Sequence, residues 1–471
     1  MSLMKIIWAA VYVITILSAI LVIVFANRNP VKTIAWILVL IFLPLFGLII
    51  YIFFGQDLRR RYMPRKDIKK LKRLNLGNVS QESIPALIKP EYRQLIQLLN
   101  TKYFPVTIHN EIKIYSSGRE KFDDFIHELK KARNHIHIEY YIFENDEIGR
   151  TIRDILIEKA QQGVEVRVIY DDVGSWHTRN SFFKKMTDAG IQVHSFLKVR
   201  FPAFTNKINY RNHRKVVVID GRVGFIGGMN IAQRYITGSK YGNWVDMHLK
   251  ITGEAVLNLQ SAFLVDWSVY EGAFLNNDNY FPAITQTTGN VKMQIVSGGP
   301  TSQWQNILQG FLKTITLAQQ YVYIQTPYFL PNETFLMALR MAALAGVDVQ
   351  IMLPEKTDSF ITTAGMHSFV KEVLRMGVKV YFYKGGFLHS KMMVIDDYVC
   401  TVGSTNIDSR SFEHNFESNA FIYDEETALH FKRIFLNDMK QAKLIHSSDW
   451  VKRPRRKKVI ESFIRLFSPL L

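Results

Sequence analysis

The chain has 471 residues, of which 48% are hydrophobic, so it can bury a large core even after any membrane segments are set aside. Its net charge of +18 indicates polyanionic partners, either nucleic acid or an anionic lipid surface. The single cysteine, Cys400, excludes an intrachain disulfide and any cysteine-based zinc cluster.

Two long apolar runs open the chain. Residues 6–26 contain no charged side chain, and neither do residues 33–56. Each run is long enough to cross a hydrocarbon core of about 30 Å as a helix, and a short turn with Arg28 and Lys32 separates them. We therefore expect a transmembrane hairpin within residues 1–57. The alternative is a cleaved signal peptide followed by a buried helix.

A cluster of basic residues follows the hairpin, in a linker that we place at residues 58–109. By the positive-inside rule this flank is cytoplasmic, which places both termini and the whole body in the cytoplasm of a two-span cell-membrane protein. The cluster either binds anionic headgroups or is a solvated linker. Its members are Arg59, Arg60, Arg61, Arg65, Lys66, Lys69, Lys70, Lys72 and Arg73.

From about residue 110, short β runs alternate with helical stretches, which indicates an α/β fold. Residues 135–143 and 164–172 are predicted strands, and residues 148–163 between them are a predicted amphipathic helix. The same order returns later, as a strand at 321–329, a helix at 333–346 and a strand at 347–354.

One motif occurs once in each of these stretches. "HRKVVVIDGRVGFIGGMN" begins at residue 213 and "HSKMMVIDDYVCTVGSTN" at residue 389, and both read H-x-K-x4-D-x6-G-x2-N. The body is therefore predicted to be an internal duplication of two α/β halves, at 110–285 and 286–450. We expect the halves to pack with pseudo-two-fold symmetry, which would bring equivalent strands face to face.

The two motifs resemble those of the phospholipase D superfamily, which is marked by paired HxKxxxxD motifs, and the resemblance covers about residues 110–450. The layout of apolar hairpin, basic linker and two halves is similar to that of the bacterial cardiolipin synthases. The passage "NRNPVKTIAWILVLIFLPLFGLIIYIFFGQ" is similar to their N-terminal segment. The resemblance implies that two phosphatidylglycerol molecules give cardiolipin and glycerol at an anionic membrane surface, with no nucleic acid partner.

The motif residues suit phosphodiester transfer, which needs a nucleophile, cations for the developing charge and an acid for the leaving alkoxide. Imidazole titrates at about pH 6.5, so His213 and His389 can attack phosphorus, forming a phosphohistidine, and move protons. Lys215 and Lys391 share a strand face with these histidines and can hold the phosphate oxygens. The residues leave open which histidine attacks, and the resemblance favours His213, with His389 as the acid.

Three further side chains are candidates for contact with the phosphate. Asn230 and Asn406 close the two motifs and can donate hydrogen bonds. Ser404 offers a hydroxyl group in the second half, where the first half has Gly228, so the predicted site is not fully symmetric.

Four carboxylates complete the candidate site. By resemblance Glu417 orients the histidine of the second half, and Asp246 takes the same role in the first half. The resemblance makes Asp220 and Asp396 mainly structural members of the motif, which anchor the turn after each motif strand.

We expect neither a metal nor a cofactor. The chain lacks the acidic cluster that magnesium or calcium prefers, and zinc on His213 and His389 would lack a third ligand with motif spacing. No stretch reads G-x-x-x-x-G-K-[ST], so no nucleotide is implied. Three alternatives stay open: a phosphatidyltransferase that uses water or serine as acceptor, a membrane-tethered nuclease, and a catalytically silent scaffold. The sequence does not indicate an oligomeric state.

Two further features have two interpretations each. The aromatic residues after the first strand of each half either line a lipid entrance or belong to the core. The tail at 451–471 predicts a basic amphipathic helix, which either lies on the membrane surface or packs on the body. The aromatic residues are Tyr140, Tyr141, Tyr328 and Phe329.

Overall fold

The computed structural model begins with two apolar helices, α1 (Leu3–Phe25) and α2 (Pro30–Phe42), which pack against each other. Ile23 of α1 and Leu40 of α2 form a small buried cluster with Tyr51. None of the described helices is both long enough and apolar enough to cross a membrane. The structure describes residues 3–25, 30–43, 46–48, 51, 88–100, 104–199, 210–271, 275, 277–284, 289–302 and 304–470.

Several predictions about the N-terminal part lie outside the described residues. These are the turn around Arg28, the end of the second apolar run at 52–56, and the basic cluster at 59–73. Of the linker at 58–109, the structure describes 88–100 and 104–109, with helix α3 (Arg93–Leu99) packed on the body.

The first half contains a sheet of seven strands in the order β1-β8-β6-β5-β2-β3-β4. Strands β2, β3 and β4 are mutually parallel, and the remaining neighbours are antiparallel. The strands are β1 (Asn110–Tyr115), β2 (His135–Tyr140), β3 (Glu165–Asp171), β4 (Gln192–Phe196), β5 (Lys215–Ile219), β6 (Val223–Gly227), β7 (Trp244–Val245, outside this sheet) and β8 (His248–Gly253). The helices are α4 (Gly118–Lys131), α5 (Glu147–Gln161), α6 (Asn180–Asp188), α7 (Arg234–Thr237) and α8 (Ala255–Glu271).

The second half repeats this topology with one added edge strand, in the order β9-β18-β16-β15-β10-β12-β13-β19. Its strands are β9 (Lys292–Gly298), β10 (Tyr321–Gln325), β11 (Phe329–Leu330), β12 (Asp348–Pro354), β13 (Lys379–Tyr383), β14 (Phe387–Leu388), β15 (Met392–Ile395), β16 (Val399–Gly403), β17 (Ile407–Asp408), β18 (Glu417–Tyr423) and β19 (Ala442–Leu444). Its helices are α9 (Asn306–Leu317), α10 (Glu333–Leu344), α11 (Phe360–Arg375), α12 (Ser409–Glu413) and α13 (Glu425–Met439), followed by α14 (Ser447–Val451) and α15 (Arg455–Arg465).

The shared strand order confirms the predicted α/β duplication. When the sheets are aligned from β1 and from β9, each of the seven strands of the first sheet has an equivalent of the same relative direction in the second sheet. The motif strands β5 and β15 occupy the central position in both sheets. Strands made almost wholly of buried β-branched and apolar residues suit such a position, because both of their faces are covered.

One apolar cluster joins the two halves. It contains inward-facing residues of both motif strands, with Val216 and Val218 from β5 and Met392 and Val394 from β15. Helices α8 and α13 contribute to the same cluster, so the two inner sheet faces and these helices share one core. Equivalent strands therefore face each other, as the duplication predicts.

Short strand pairings also cross between the halves. Strand β14 pairs with β7, and a parallel bridge joins Asn212 to Phe416. In each pairing, a residue that directly precedes a motif histidine (Leu388 or Asn212) meets a residue that directly precedes a buried carboxylate of the other half (Val245 or Phe416). They fix which carboxylate each histidine meets.

The C-terminal helix α15 packs along α11, so the interpretation in which the tail packs on the body is confirmed for this helix. Arg465 contacts Glu372 at 2.5 Å, and the buried Glu461 accepts two hydrogen bonds from Arg453, at 2.7 and 2.8 Å. The opposite side of the helix leaves Val459, Phe463 and Leu466 exposed.

Candidate active site

Both motif histidines line one cavity of about 680 Å³ between the two halves. His213 stands two residues before the first residue of β5, and His389 three residues before that of β15. Because β5 and β15 are the central strands of two facing sheets, the duplication brings the two histidines into the same space. Other lining residues are Tyr141, Asn230, Arg234, Trp244, Tyr328, Asn406 and Arg410.

Each histidine is hydrogen-bonded through Nδ1 to a fully buried carboxylate of the other half. His213 Nδ1 lies 3.0 Å from Glu417 Oε1, and His389 Nδ1 lies 2.6 Å from Asp246 Oδ2. A carboxylate accepts only, so Nδ1 carries the proton and Nε2 keeps its lone pair when the ring is neutral. The expectation that each carboxylate orients the histidine of its own half is therefore wrong.

The crossed strand pairings explain this exchange. The His213 amide donates to the carbonyl of Phe416 at 2.9 Å, and the His389 amide donates to the carbonyl of Val245 at 2.7 Å. Each histidine therefore lies beside the residue that precedes the carboxylate of the opposite half. Motif spacing along the chain cannot reveal this pairing, because it depends on how the two halves meet.

The two carboxylates are held differently. Glu417 accepts hydrogen bonds from the Ser404 hydroxyl and from Asn415 Nδ2, the latter at 3.2 Å. Ser404 thus serves the carboxylate, whereas we expected it near the phosphate. Its counterpart Gly228 has no room for a side chain, since a Cβ there would lie 2.1 Å from Asp246 Oδ1. Because the aspartate side chain is shorter than that of glutamate, the Asp246 carboxylate lies against the backbone of residue 228 and requires glycine there. The longer Glu417 leaves room for the Ser404 side chain.

The two motif lysines lie beside their histidines, as predicted. Lys215 Nζ donates to the His213 carbonyl, and Lys391 Nζ donates to the His389 carbonyl. Lys391 Nζ also lies 2.9 Å from His389 Nδ1 and 3.8 Å from Asp246 Oδ2, beside the hydrogen bond that joins the ring to the carboxylate. Both lysines are buried next to the cavity.

Burial shifts the proton affinities of these groups. It lowers the pKa of His213 to about 4 and that of His389 well below its usual value, and the neighbouring lysines lower both further. Burial also lowers the pKa of Lys215 to about 7 and that of Lys391 to about 8. Without a bound anion, both histidines are neutral at pH 7, Lys215 is partly charged, and Lys391 is mostly charged.

The two carboxylates shift in opposite directions. Burial raises the pKa of Asp246 to about 6, against the lowering effect of Lys391. Burial would also raise the pKa of Glu417, but His213, Lys215 and Ser404 stabilise its charge and hold the pKa below the usual value. Glu417 is therefore the more firmly ionised of the two.

The motif asparagines differ in their partners. Asn230 Nδ2 donates to the Tyr235 hydroxyl at 3.0 Å, and its Oδ1 accepts from the Ile142 amide at 3.2 Å. Asn406 Oδ1 is buried and has no hydrogen-bond partner among the residues that the structure describes. The position equivalent to Tyr235 is Ser411, which is too short to take the same place. The amide of Asn406 is thus the more available to a ligand.

The motif aspartates lie away from the cavity and brace the sheets. Asp220 accepts hydrogen bonds from the amides of Arg133, Asn134 and His135, at 2.9, 2.7 and 2.9 Å. Asp396 accepts from three amides in the equivalent place, at residues 319–321. These contacts match the structural role that the resemblance implies.

Of the four aromatic residues for which we gave two interpretations, two belong to the core and two line the cavity. Tyr140 and Phe329 are buried in the core, whereas Tyr141 and Tyr328 line the cavity. The Tyr141 ring meets the His213 ring edge-on at a centroid distance of 4.8 Å.

Sequence reasoning missed two cavity arginines at equivalent positions, Arg234 and Arg410. Each stands four residues after its motif asparagine, so the repeat N-I-x-x-R was the available signal. Arg234 is ion-paired with Glu144 at 2.8 Å and stacks on Trp244. Within the described residues, no group of three histidine, cysteine or acidic side chains could hold a metal ion.

Comparison with known proteins agrees with this geometry. The family model described as "Cardiolipin synthase, PLD-like domain" matches residues 125–267 and 311–439, and "Phospholipase_D-nuclease N-terminal" matches residues 6–56. Among solved structures, phosphatidylserine synthase of Haemophilus influenzae has the same fold, with a TM-score of 0.62 and 15% identity, over 81% of this chain and 100% of that one.

Curated relatives match over almost the whole chain. A cardiolipin synthase of Geobacillus kaustophilus is 41% identical, over 96% of this chain and 91% of its own length. A cardiolipin synthase of Staphylococcus aureus is 40% identical, over 99% of this chain and 96% of its own. With its paired motifs and shared cavity, the chain belongs to the cardiolipin synthase family of phospholipase D-like proteins.

Proposed function

We propose that the protein is a phosphatidyltransferase that converts two phosphatidylglycerol molecules into cardiolipin and glycerol. One observation carries this proposal: two histidines from the duplicated halves line one cavity, each with a lysine beside it and a buried carboxylate behind it. The relatives named cardiolipin synthase support the same reaction, since they match almost the whole chain.

The reaction proceeds in two steps. In the first, Nε2 of one histidine attacks phosphorus, a P–N bond forms, the P–O bond to glycerol breaks, and the other histidine protonates the leaving oxygen. In the second, a hydroxyl of another phosphatidylglycerol attacks phosphorus, its proton returns to that histidine, and the P–N bond breaks. One phosphodiester replaces another, so no external energy source is needed.

The remaining residues act on charge and orientation. Lys215 and Lys391 offset the negative charge that grows on the non-bridging oxygens, and Asn230 and Asn406 border the same space. Glu417 and Asp246 hold the imidazole rings with Nε2 free and stabilise each ring when it becomes protonated. The resemblance favours His213 as the attacking residue. Each ring has a carboxylate behind Nδ1, and the His389 ring also has Lys391 Nζ 2.9 Å from Nδ1 and 3.4 Å from Nε2.

We further propose that residues 1–57 form a two-span membrane hairpin and that the body lies in the cytoplasm. The uncharged run at 6–26, the pairing of α1 with α2 and the match of residues 6–56 to an N-terminal family segment support the hairpin. The basic cluster at 59–73 supports the orientation. In this arrangement 58–109 is the linker, and 110–285 and 286–450 are the catalytic halves.

Labelled phosphatidylglycerol tests the reaction and its alternatives. Membranes that contain the protein are incubated with the lipid, and the products are separated. Cardiolipin and glycerol support the proposal. Phosphatidic acid instead would show that water is the acceptor, a new product with added serine would show a serine acceptor, and unchanged lipid with loss of DNA would show a nuclease.

A further inference from the structure

Two bulky aromatic side chains stand exposed at the mouth of the cavity, one from each half. Trp176 lies on the loop after β3 and is 69% exposed. Phe360 is 70% exposed and is the first residue of α11, the helix that follows the loop after β12. Strands β3 and β12 hold equivalent places in the two sheets. The duplicated fold therefore places one exposed aromatic ring on each side of the site.

The neighbours of both rings line the cavity. Beside Trp176 these are Gly174 and His177, and beside Phe360 they are Asp358 on the preceding loop and Thr362 in α11. Leaving a large aromatic side chain in water forfeits about 1.5–3 kcal/mol relative to burying it. Two such side chains in equivalent positions at one opening therefore indicate a surface that is covered when the protein works.

The C-terminal helix α15 adds a third apolar element at the same opening. It packs along α11, whose first residue is Phe360. The following segment Ser468–Leu470 packs beside α12, which carries the cavity residue Arg410. The ion pairs of Arg465 with Glu372 and of Arg453 with Glu461 fix the helix in this orientation. Its exposed apolar face is therefore held in a fixed position relative to the cavity.

Charge identifies what covers this surface. The first turn of α15 carries four cations, of which Arg455, Arg456 and Lys457 are exposed and Lys458 is half-buried. The loops after β3 and β12 provide no net positive charge, since their two cations, Arg179 and Lys356, are outnumbered by three carboxylates, Asp172, Glu355 and Asp358. The attraction is therefore provided by the helix, at about 1 kcal/mol for each basic residue near an anionic lipid surface. Aromatic rings beside cations are typical of a membrane interface.

We propose that Trp176, Phe360 and the exposed face of α15 form a mouth surface that inserts into the interface of an anionic phospholipid bilayer. The exposed face consists of Val459 and Phe463 in the helix and of Leu466 and Phe467 in the turn that follows it. The cavity then opens onto lipid, and a headgroup enters it while the acyl chains stay in the bilayer. The choice of a bilayer over a protein partner rests in part on the proposed function, which supplies a lipid substrate.

A site-specific fluorescence experiment tests the mouth surface directly. Cys400 is the single cysteine of the chain and is buried, so an introduced cysteine is the accessible thiol. Trp176→Cys and Phe360→Cys are labelled with an environment-sensitive fluorophore in the full chain, reconstituted in vesicles of phosphatidylglycerol and phosphatidylcholine. Leu344→Cys is the matched control. Leu344 is 75% exposed and precedes β12, whereas Phe360 follows β12, so the two residues lie toward opposite ends of this strand.

We expect acyl-chain quenchers to reduce the emission at positions 176 and 360 several-fold more than at position 344, and aqueous iodide to do the reverse. Vesicles of phosphatidylcholine alone should weaken the acyl-chain quenching, because the cations of α15 then lose their partners. Equal access of iodide to all three positions would overturn the proposal.

An activity measurement separates this proposal from the proposed function. The double variant Trp176→Ala/Phe360→Ala should lose about tenfold in rate on phosphatidylglycerol vesicles but keep its rate on water-dispersed short-chain phosphatidylglycerol. Leu344→Ala should match the wild type on both. An equal loss on both substrates would contradict the mouth surface. If the wild type made no cardiolipin, the proposed function would fail, while the quenching result would still decide the surface.

Discussion

Burial keeps the two cavity histidines neutral at pH 7, and the carboxylates behind them decide which nitrogen carries the proton. Protonated Nδ1 faces Glu417 or Asp246, so Nε2 of each ring presents its lone pair to the cavity. A bound phosphodiester adds negative charge, which raises the proton affinity of the imidazoles and the lysines. The residues are thus prepared for attack by one ring and for proton transfer by the other.

Replacing either histidine should abolish transfer without unfolding the protein. In His213→Ala or His389→Ala, one of the two essential roles is missing, so we expect cardiolipin formation to fall by more than about 10³-fold. Wild-type protein is denatured and digested at alkaline pH during turnover, because acid would hydrolyse the P–N bond, and mass spectrometry of the phosphatidylated histidine identifies the attacking residue. A single variant that retained wild-type turnover would contradict the two-histidine mechanism.

The crossed carboxylates predict how their own variants behave. Glu417→Gln keeps the shape but removes the charge behind His213, so we expect turnover to fall by about 10²–10⁴-fold with little change in lipid binding. Asp246→Asn should act in the same way through His389. NMR of labelled histidine tests the pairing, since Glu417→Gln should shift the signals of His213 more than those of His389. A larger shift at His389 would contradict the crossed arrangement.

The pH dependence of kcat/KM should be bell-shaped. The carboxylate form of Asp246 is lost as the pH falls through its pKa of about 6, so activity declines on the acid side. The charged forms of Lys215 and Lys391 are lost as the pH rises through pKa values of about 7 and 8, so activity also declines on the alkaline side. Lys215→Arg should move the alkaline limb upward, toward the pKa of Lys391 at about 8, because arginine stays charged. A profile that is flat between pH 5 and 10 would refute this assignment.

Among the structural elements, the turns after the motif strands have a purely architectural role. Asp220 and Asp396 have φ values of 53° and 49°, a left-handed conformation that aspartate and asparagine tolerate better than most residues. From there each carboxylate ties the turn to the start of a neighbouring strand, β2 or β10, through three amides. The HxKxxxxD spacing therefore joins a catalytic end to a structural end of one strand.

Asp220→Ala should reduce stability by about 2 kcal/mol, because three amides lose a charged acceptor at a half-exposed turn. Asp220→Asn should lose less, since it retains one amide oxygen and the left-handed preference. Thermal unfolding measures the difference, and the rate per folded molecule should stay near that of the wild type. A rate loss that exceeds the stability loss would indicate a role in the chemistry.

The alternation of strands and helices, the duplication and the motif residues could all be predicted from the sequence, because each is a local pattern or a repeat. The exchange of Glu417 and Asp246 could not, since it arises where β14 meets β7 and Asn212 meets Phe416 across the halves. Ser404 was misplaced for the same reason. Arg234 and Arg410 were overlooked even though the repeated N-I-x-x-R pattern was visible.

At the scale of the whole molecule, one apolar cluster couples the two halves. Leu388 is fully buried in that cluster and precedes His389 in a strand that pairs with the first half. We expect the body to unfold in a single calorimetric transition, and Leu388→Ala to lower its midpoint as a whole, at a cost of about 2–5 kcal/mol. Two separate transitions, with only one of them shifted, would show that the halves fold independently.

The exchange of carboxylates also bears on how such a protein could have arisen. A single ancestral half would carry a histidine, a lysine and an acidic residue, but its acid would face away from its own histidine. Two identical copies would then complete each other, and each would lend its acid to its partner. Gene duplication and fusion would convert that homodimer into one chain and free the two copies to diverge. The Gly228–Ser404 and Tyr235–Ser411 differences are of the kind that such divergence leaves.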